Sequence, residues 1–376
     1  MRILIIGGGI LGTAHADAAV RRGHDVVHLE REPEARGATV RNFGLVWVSG
    51  RTEGELAATL RSRELWADLG ARVPGIGFRA NGSITLLRTD AEVAVAREAA
   101  DRADARDRGF TLLEPEAVRR LNPALRGKFV AGLHCSTDAA VESRVALPAI
   151  RWHLATSGRY RFRPETEART VTRTAHGTVQ VRDDHGAVHE ADLVLVCPGA
   201  TLSGLARELG GDLPLRRVRL QMMQTAPLGE KLTTSVADGD SLRYYPGFAG
   251  AALEELKARE PQALTAERHR MQLLCVQRLD GGLTLGDTHE YDEPFAFDVD
   301  EAPYEHLVTV AEDLLGRRLP PVMRRWAGVY SQCLDPTELV HRARVDDDIW
   351  IIAGPGGRGM TLGPYLGERT ADLLEL

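Results

Sequence analysis

The sequence predicts an α/β protein in which a mostly parallel, Rossmann-like nucleotide-binding domain is interleaved along the chain with an antiparallel-sheet domain. Three observations carry this. A buried strand runs into a glycine-rich turn and a helix at the very start, two more buried strands run into glycine turns far along the chain, and hairpin signals fill the stretches between them.

The first element is Ile3-Leu4-Ile5-Ile6, a β-favouring apolar run without alternation, as expected for a parallel strand covered on both faces. It leads into Gly7-Gly8-Gly9-Ile10-Leu11-Gly12, a G-x-G-x-x-G. In that motif Gly7 permits a tight turn, Gly9 lets the backbone approach a pyrophosphate, and Gly12 allows close helix packing. A helix over 10–22 follows, ended by Gly23, and its N-terminal amides and dipole suit phosphates. Residues 25–30 read as the second strand, closing on Glu30, a carboxylate placed to accept hydrogen bonds from a free adenosine ribose. Together these predict an ADP-containing dinucleotide; the motif does not separate FAD from NAD.

Residues 191–200 form another buried strand ending in Cys197-Pro198-Gly199-Ala200. Residues 349–353 form one more, followed by a glycine-rich loop over 354–361 and a helix over 362–374. Between these lie a strand at 81–87, a charged amphipathic helix over 92–108, and a helix over 253–270 interrupted near Pro261. A hairpin joins 271–278 to 282–286 around Asp280-Gly281. The expected division gives 1–50, 140–205 and 335–376 to the nucleotide domain and 51–139 and 206–334 to a substrate domain.

With 43% hydrophobic residues in 376, the chain has material for two cores. Its 47 basic and 53 acidic residues give a net charge of -6, so nothing draws the whole surface to nucleic acid or an anionic membrane. An anionic substrate therefore has to meet a local cationic pocket. Cys135, Cys197, Cys275 and Cys333 are scattered, signalling neither a metal site nor a dithiol motif. Gly7 to Gly9 interrupt the opening apolar run well short of the ~7–15 residues of a secretory signal core or the ~20 of a membrane span. A soluble, cytoplasmic chain that folds from its first residue is expected.

These residues resemble the D-amino acid oxidase/glycine oxidase superfamily of FAD-dependent amine oxidoreductases over essentially the whole chain. The resemblance rests on the Gly7–Gly12 turn, Glu30, Cys197-Pro198-Gly199-Ala200, Arg325-Trp326-Ala327-Gly328 and Gly356-Gly357-Arg358-Gly359-Met360-Thr361. It implies FAD rather than NAD, bound non-covalently because no histidine or cysteine stands at an attachment position. The cofactor contacts it implies are Gly7, Gly9, Ile10, Leu11, Gly12, Glu30, Arg31, Arg41, Asn42, Gly199, Gly356, Gly357, Arg358, Gly359, Met360 and Thr361. More narrowly, the stretches 38–47, 242–248 and 286–291 look like a clade linked to phosphonate breakdown, whose members oxidise 2-aminoethylphosphonate or its N-methyl derivative to phosphonoacetaldehyde.

One departure from the family pattern is informative. Glycine- and sarcosine-type relatives follow W-A-G with an apolar residue and then an arginine that grips the substrate carboxylate, whereas here Tyr330 occupies that place. A plain α-amino acid would lose a bidentate anchor that tyrosine cannot copy. Arg243 and Tyr245, two apart in an expected strand, would share one face and hold a phosphonate, with Tyr244 turned away. Arg41 and Asn42 are expected near the flavin or the substrate, with bracing of their loop as the alternative, and His289 near the substrate. His15 should pack inside the first helix. Arg358 would face the flavin's N1–C2 region, and Thr361 a flavin carbonyl.

The expected activity is oxidation of the C–N bond of a small amine with an anionic tail, with dioxygen as acceptor and hydrogen peroxide as product, and without metal, nucleic-acid or membrane partners. The rivals are a D-amino acid, glycine or sarcosine oxidase, a flavin-binding protein that turns nothing over, and an NAD-dependent dehydrogenase. The oligomeric state stays open.

Overall fold

The structure, a computed structural model, describes residues 1–376. Strand Arg2–Ile6 lies in the interior of a six-stranded sheet, between Leu193–Val196 and Asp25–Leu29. Tyr160–Arg163 extends one side, and Ile349–Ala353 then His341–Asp346 extend the other. All pairings are parallel except that of the last two strands. The unbroken apolar run has its reason here. Ile3 and Ile5 face one hydrophobic core and Leu4 faces another, so both faces of the strand are covered.

The eight-stranded sheet joins Val322–Cys333, Leu215–Pro227, Gly282–Gly286, Leu274–Gln277, Ser235–Ala237, Ser83–Leu87, Ala131–Cys135 and Phe110–Leu113, in that order. Its pairings are antiparallel except that of Ser235–Ala237 with Ser83–Leu87. The hairpin around Asp280-Gly281 pairs Cys275 with Leu285. A separate core, including Ile84, Met223, Leu283, Leu307 and Leu314, packs this sheet against the helix Glu301–Leu315. A three-stranded antiparallel sheet, Ala168–Arg173, Val179–Asp183 and Val188–Ala191, flanks the parallel one.

Several elements differ from expectation. The charged stretch 92–108 is two helices, Asp90–Ala100 and Ala105–Arg108, and in the break between them the Arg102 guanidinium bonds the carbonyls of Gly247 and Ala249. The last helix begins at Gly359, three residues before the expected start. Most consequential, Asp240–Tyr244 is a short helix and not a strand. The buried Asp238 carboxylate accepts the Ser241 amide at 3.3 Å and starts the turn, while Pro246 disfavours helical geometry at Tyr245 and ends it. Arg243, Tyr244 and Tyr245 therefore fan around a helix end and do not alternate between two faces.

Candidate active site

A cavity of about 1040 Å³ runs from the first glycine turn to a group of tyrosines on the eight-stranded sheet and the 240–246 turn. That is at the upper end of the ~300–1,000 Å³ usual for ligand sites. Its glycines are required for different reasons. Gly7 has φ +107°, and a Cβ there would lie 2.2 Å from the Cys197 carbonyl oxygen, so the first and second glycine turns touch only because Gly7 has no side chain. A Cβ on Gly12 would lie 2.0 Å from the Gly7 carbonyl oxygen and 2.9 Å from the His28 ring. At Gly9 a Cβ would meet only the Thr39 hydroxyl, at 3.4 Å, so protein packing does not exclude a larger residue there; the open space belongs to the cavity.

The first helix offers amide donors to that space. Thr39 Oγ1 accepts the Ile10 amide at 3.0 Å, and Thr13 bonds back to Gly9, which leaves the buried amides of Leu11 and Gly12 without intramolecular acceptors. Orphan donors at a helix N-terminus beside a glycine turn fit a pyrophosphate. Glu30 also lines the cavity, its carboxylate accepting the Gly8 amide at 2.6 Å and the Glu32 amide at 2.9 Å. His28, to which sequence reasoning gave no role, holds the Gly7 carbonyl at 2.9 Å through Nε2 and meets the Tyr160 hydroxyl at 2.9 Å through Nδ1. Burial pushes its pKa down to about 4, so it stays neutral behind the turn.

All the residues expected to contact cofactor or substrate line this cavity except Arg243. Arg243 is directed elsewhere, its Nε 3.2 Å from Asp240 and its Nη2 donating at 2.6 Å to the Glu260 carbonyl, and its pairing with Tyr245 on one strand face is corrected accordingly. Asn42 and Arg41 serve as braces. Asn42 donates to the Ala38 and Thr39 carbonyls and accepts from the Gly44 amide, while Arg41 reaches the Ala327 carbonyl at 2.9 Å. Arg358 is buried against Glu55 and also donates to the carbonyls of Glu338 and Pro355. The Thr361 hydroxyl accepts the Trp47 amide at 3.0 Å and faces the Leu45 carbonyl at 3.3 Å, so its side chain serves the protein. His15 packs in the helix as expected, bonded to the Leu11 carbonyl.

The other part of the lining is aromatic: Tyr330 is buried and Tyr244, Tyr245 and Tyr291 are partly buried, with the buried Asp287 and His289 among them. Tyr330 stands near the C-terminal glycine loop, its hydroxyl 3.7 Å from where a Cβ on Gly357 would be. His289 stacks on Tyr244 with ring centroids 4.1 Å apart, and its Nδ1 lies 3.0 Å from the Arg270 carbonyl. Burial lowers its pKa to about 4, so the ring is neutral, and the carbonyl assigns the proton to Nδ1, leaving Nε2 as an acceptor. Asp287 accepts from Gln272 Nε2 at 2.7 Å and lies 3.8 Å from His289 Nε2. Burial raises its carboxyl to about 8, so it is protonated at pH 7.

Sequence reasoning missed Arg51, Glu55 and the role of Asp287. Asp287 and Tyr291 lie within the 286–291 stretch, but nothing in the spacing of Arg51 or Glu55 points to the cavity. No group of three or more His, Cys, Asp or Glu side chains is arranged to hold a metal ion, and no helix is long and apolar enough to cross a membrane.

A dinucleotide cradle opening onto an aromatic pocket is the arrangement of an oxidoreductase of the flavoprotein type. The chain belongs to the family of FAD-dependent oxidoreductases, whose family model matches residues 2–373. Among curated relatives, an opine oxidase subunit of Rhizobium meliloti is 24% identical over 238 residues, 59% of this chain, and the match spans 62% of that relative's length. A D-amino acid dehydrogenase of Methylobacterium radiotolerans is 24% identical over an alignment covering 100% of this chain and 96% of the relative. Among solved structures, glycine oxidase from Geobacillus kaustophilus superposes with a TM-score of 0.77 at 19% identity, covering 100% of this chain and 95% of that one.

Proposed function

We propose that this protein oxidises the C–N bond of a small primary or secondary amine carrying an anionic tail, and that its substrate is 2-aminoethylphosphonate or the N-methyl derivative, giving phosphonoacetaldehyde. The observation that carries this reading is Tyr330. It lines the cavity, 8% exposed, at the position where amino-acid-type relatives are expected to carry an arginine for the carboxylate. A plain amino acid therefore lacks its usual partner, and an anion placed farther from the reacting carbon suits the pocket better.

FAD, held non-covalently, supplies a two-electron acceptor for the hydride of the amine's α-carbon. The Leu11 and Gly12 amides would hold the pyrophosphate, Glu30 the ribose, and the 356–361 loop the flavin ring. The remaining work is done by the pocket. Tyr244, Tyr245 and Tyr330 exclude water, so the amine reacts in its neutral form. His289 Nε2 offers an acceptor to the amine N–H. Water entering after hydride transfer hydrolyses the imine to the aldehyde, and dioxygen serves as the terminal acceptor, yielding hydrogen peroxide.

The names of the relatives, an opine oxidase subunit, a D-amino acid dehydrogenase and a glycine oxidase, favour an amino-acid substrate as the second reading. Anaerobic mixing of the flavin-loaded protein with aminophosphonates, D-amino acids, glycine and sarcosine separates the two. Bleaching of the visible flavin band by the aminophosphonates alone is the expected result. Bleaching only by amino acids would establish the second reading, and bleaching by none would leave a flavin-binding protein without amine turnover.

A further inference from the structure

We propose that the Arg51 guanidinium binds the anionic end of the substrate, the role that Tyr330 leaves unfilled. The inference rests on the reading of the substrate as an amine with an anionic tail, and it assigns that tail a place.

The cavity is lined by five arginines: Arg31, Arg36, Arg41, Arg51 and Arg358. Four are either paired or open to solvent, Arg41 being exposed. Arg358 bonds Glu55 and two carbonyls, and Arg41 bonds the Ala327 carbonyl. Arg31 and Arg36 are largely exposed beside Glu32. Arg51 differs. It is 7% exposed, its Nε donates at 3.1 Å to the Trp47 carbonyl, and its two terminal nitrogens have neither a hydrogen-bond acceptor nor a carboxylate in ion-pair range.

The charge balance points the same way. Glu55 is the carboxylate that balances both Arg358, by direct contact, and Arg51, through space, which leaves one net positive charge for the pair of guanidiniums. Asp287, protonated at neutral pH, adds no negative charge. A buried guanidinium with free donors is costly unless an anion meets it. Trp47 Nε1, buried in the same cluster, is also without an acceptor. The Trp47 ring packs 5.7 Å from Tyr245, whose ring lies 5.9 Å from the Arg51 guanidinium carbon.

Arg51 is also held firmly although its segment is irregular. Asp138 accepts the Val48 and Ser49 amides, and Arg108 Nη1 donates to the carbonyls of Val48, Ser49 and Arg51. An arginine on so fixed a backbone presents its fork with little ordering left to do, which suits bidentate recognition of a phosphonate or carboxylate.

The test uses the flavin-loaded protein, R51K and R51Q. 2-Hydroxyethylphosphonate, 3-hydroxypropionate and propanol are titrated while the visible flavin spectrum is followed, and kcat/KM is measured for 2-aminoethylphosphonate, β-alanine and propylamine. The two anions distinguish a phosphonate from a carboxylate tail. The expected result is that R51Q weakens 2-hydroxyethylphosphonate binding at least about 30-fold, the loss from removing one partner of a buried charge pair, with R51K intermediate. Efficiency on propylamine should fall far less than on 2-aminoethylphosphonate. Unchanged binding in R51Q, or equal losses on both amines, would overturn the assignment. Loss of flavin from R51Q and R51K would also overturn it, by placing Arg51 on the cofactor. If R51Q does not fold, R51K must by itself weaken the anion at full flavin content, or the assignment fails. A wild-type protein that oxidises propylamine yet binds neither anion would overturn the anionic-tail reading itself, and the anchor with it.

Discussion

At the scale of single residues, the glycines of the first turn separate two roles that the motif merges. Because a Cβ on Gly9 would meet only Thr39 at 3.4 Å whereas one on Gly12 would drive into the Gly7 carbonyl at 2.0 Å, the two substitutions should have different phenotypes. Gly9→Val should purify folded, with nearly wild-type denaturant stability as apoprotein, and without flavin. Gly12→Val should lose stability first, by the ~1–3 kcal/mol or more of an overpacked site. Urea unfolding together with the flavin-to-protein absorbance ratio measures both. Asp287 makes a pH prediction. Its folded pKa of about 8 is above the ~3.9 of an unfolded aspartate, so the folded state holds a proton that the unfolded state releases between those values. Its contribution to stability is therefore greatest below about pH 4 and is lost as pH rises to about 8, at up to ~1.4 kcal/mol per pH unit. Asp287→Asn should flatten that limb of the stability profile, measured by urea unfolding from about pH 5 to about pH 8; an unchanged slope would contradict the protonated state. Sequence reasoning ranked Arg243 first for the anion and did not weigh Arg51. Neither arginine's neighbours in the chain reveal what it pairs with, and only the through-space partners, Asp240 and the Glu260 carbonyl for one and no acceptor at the terminal nitrogens for the other, tell them apart.

At the scale of elements, the irregular 47–51 segment is the piece that periodicity could not read. Its backbone satisfies itself through two buried side chains from distant elements, so no local pattern marks it. Asp138 takes two amides there and the hydroxyls of Ser49 and Ser83, and burial raises its own pKa. Asp138→Ala should leave the two buried amides unsatisfied and destabilise the protein by roughly 2–5 kcal/mol. It should also weaken phosphonate binding through the displaced Arg51. Denaturant midpoints and the spectral titration report these separately, and a change in binding without a change in stability would argue against the bracing role. The 240–244 segment misled for a related reason. Tyr244 and the following Tyr245 favour strands, yet the carboxylate of Asp238 and the ring of Pro246, on either side, fix a helical turn.

At the scale of the whole molecule, the strand Val322–Cys333 ties the sheets to the cofactor loops. Ser331 Oγ donates at 2.7 Å to the Gly199 carbonyl and accepts the Gly354 amide at 3.1 Å, so a strand of the antiparallel sheet clasps two glycine turns of the parallel one. Since residues of both sheets line the cavity, flavin should stabilise the whole chain and not one part of it. Removing it should lower global stability by ~2.7–4.1 kcal/mol, the linkage expected at about 100 to 1,000 times Kd, in a single transition. Calorimetry of the holo- and apoprotein tests this, and an apoprotein melting in two separate steps would show the sheets to be independent. The sequence by itself determined the parallel strands, the glycine turns, the hairpin and the family, because each is written in neighbouring residues: an apolar run, a glycine spacing, an Asp-Gly turn. Only the tertiary structure decided which arginine is free, which carboxyl keeps its proton, and that Asn42, Thr361 and Arg358 turn their side chains to the protein. Those properties depend on burial and on partners as much as about 300 residues away, as with Arg358 and Glu55, and charge and hydrogen bonding act through space without regard to sequence distance.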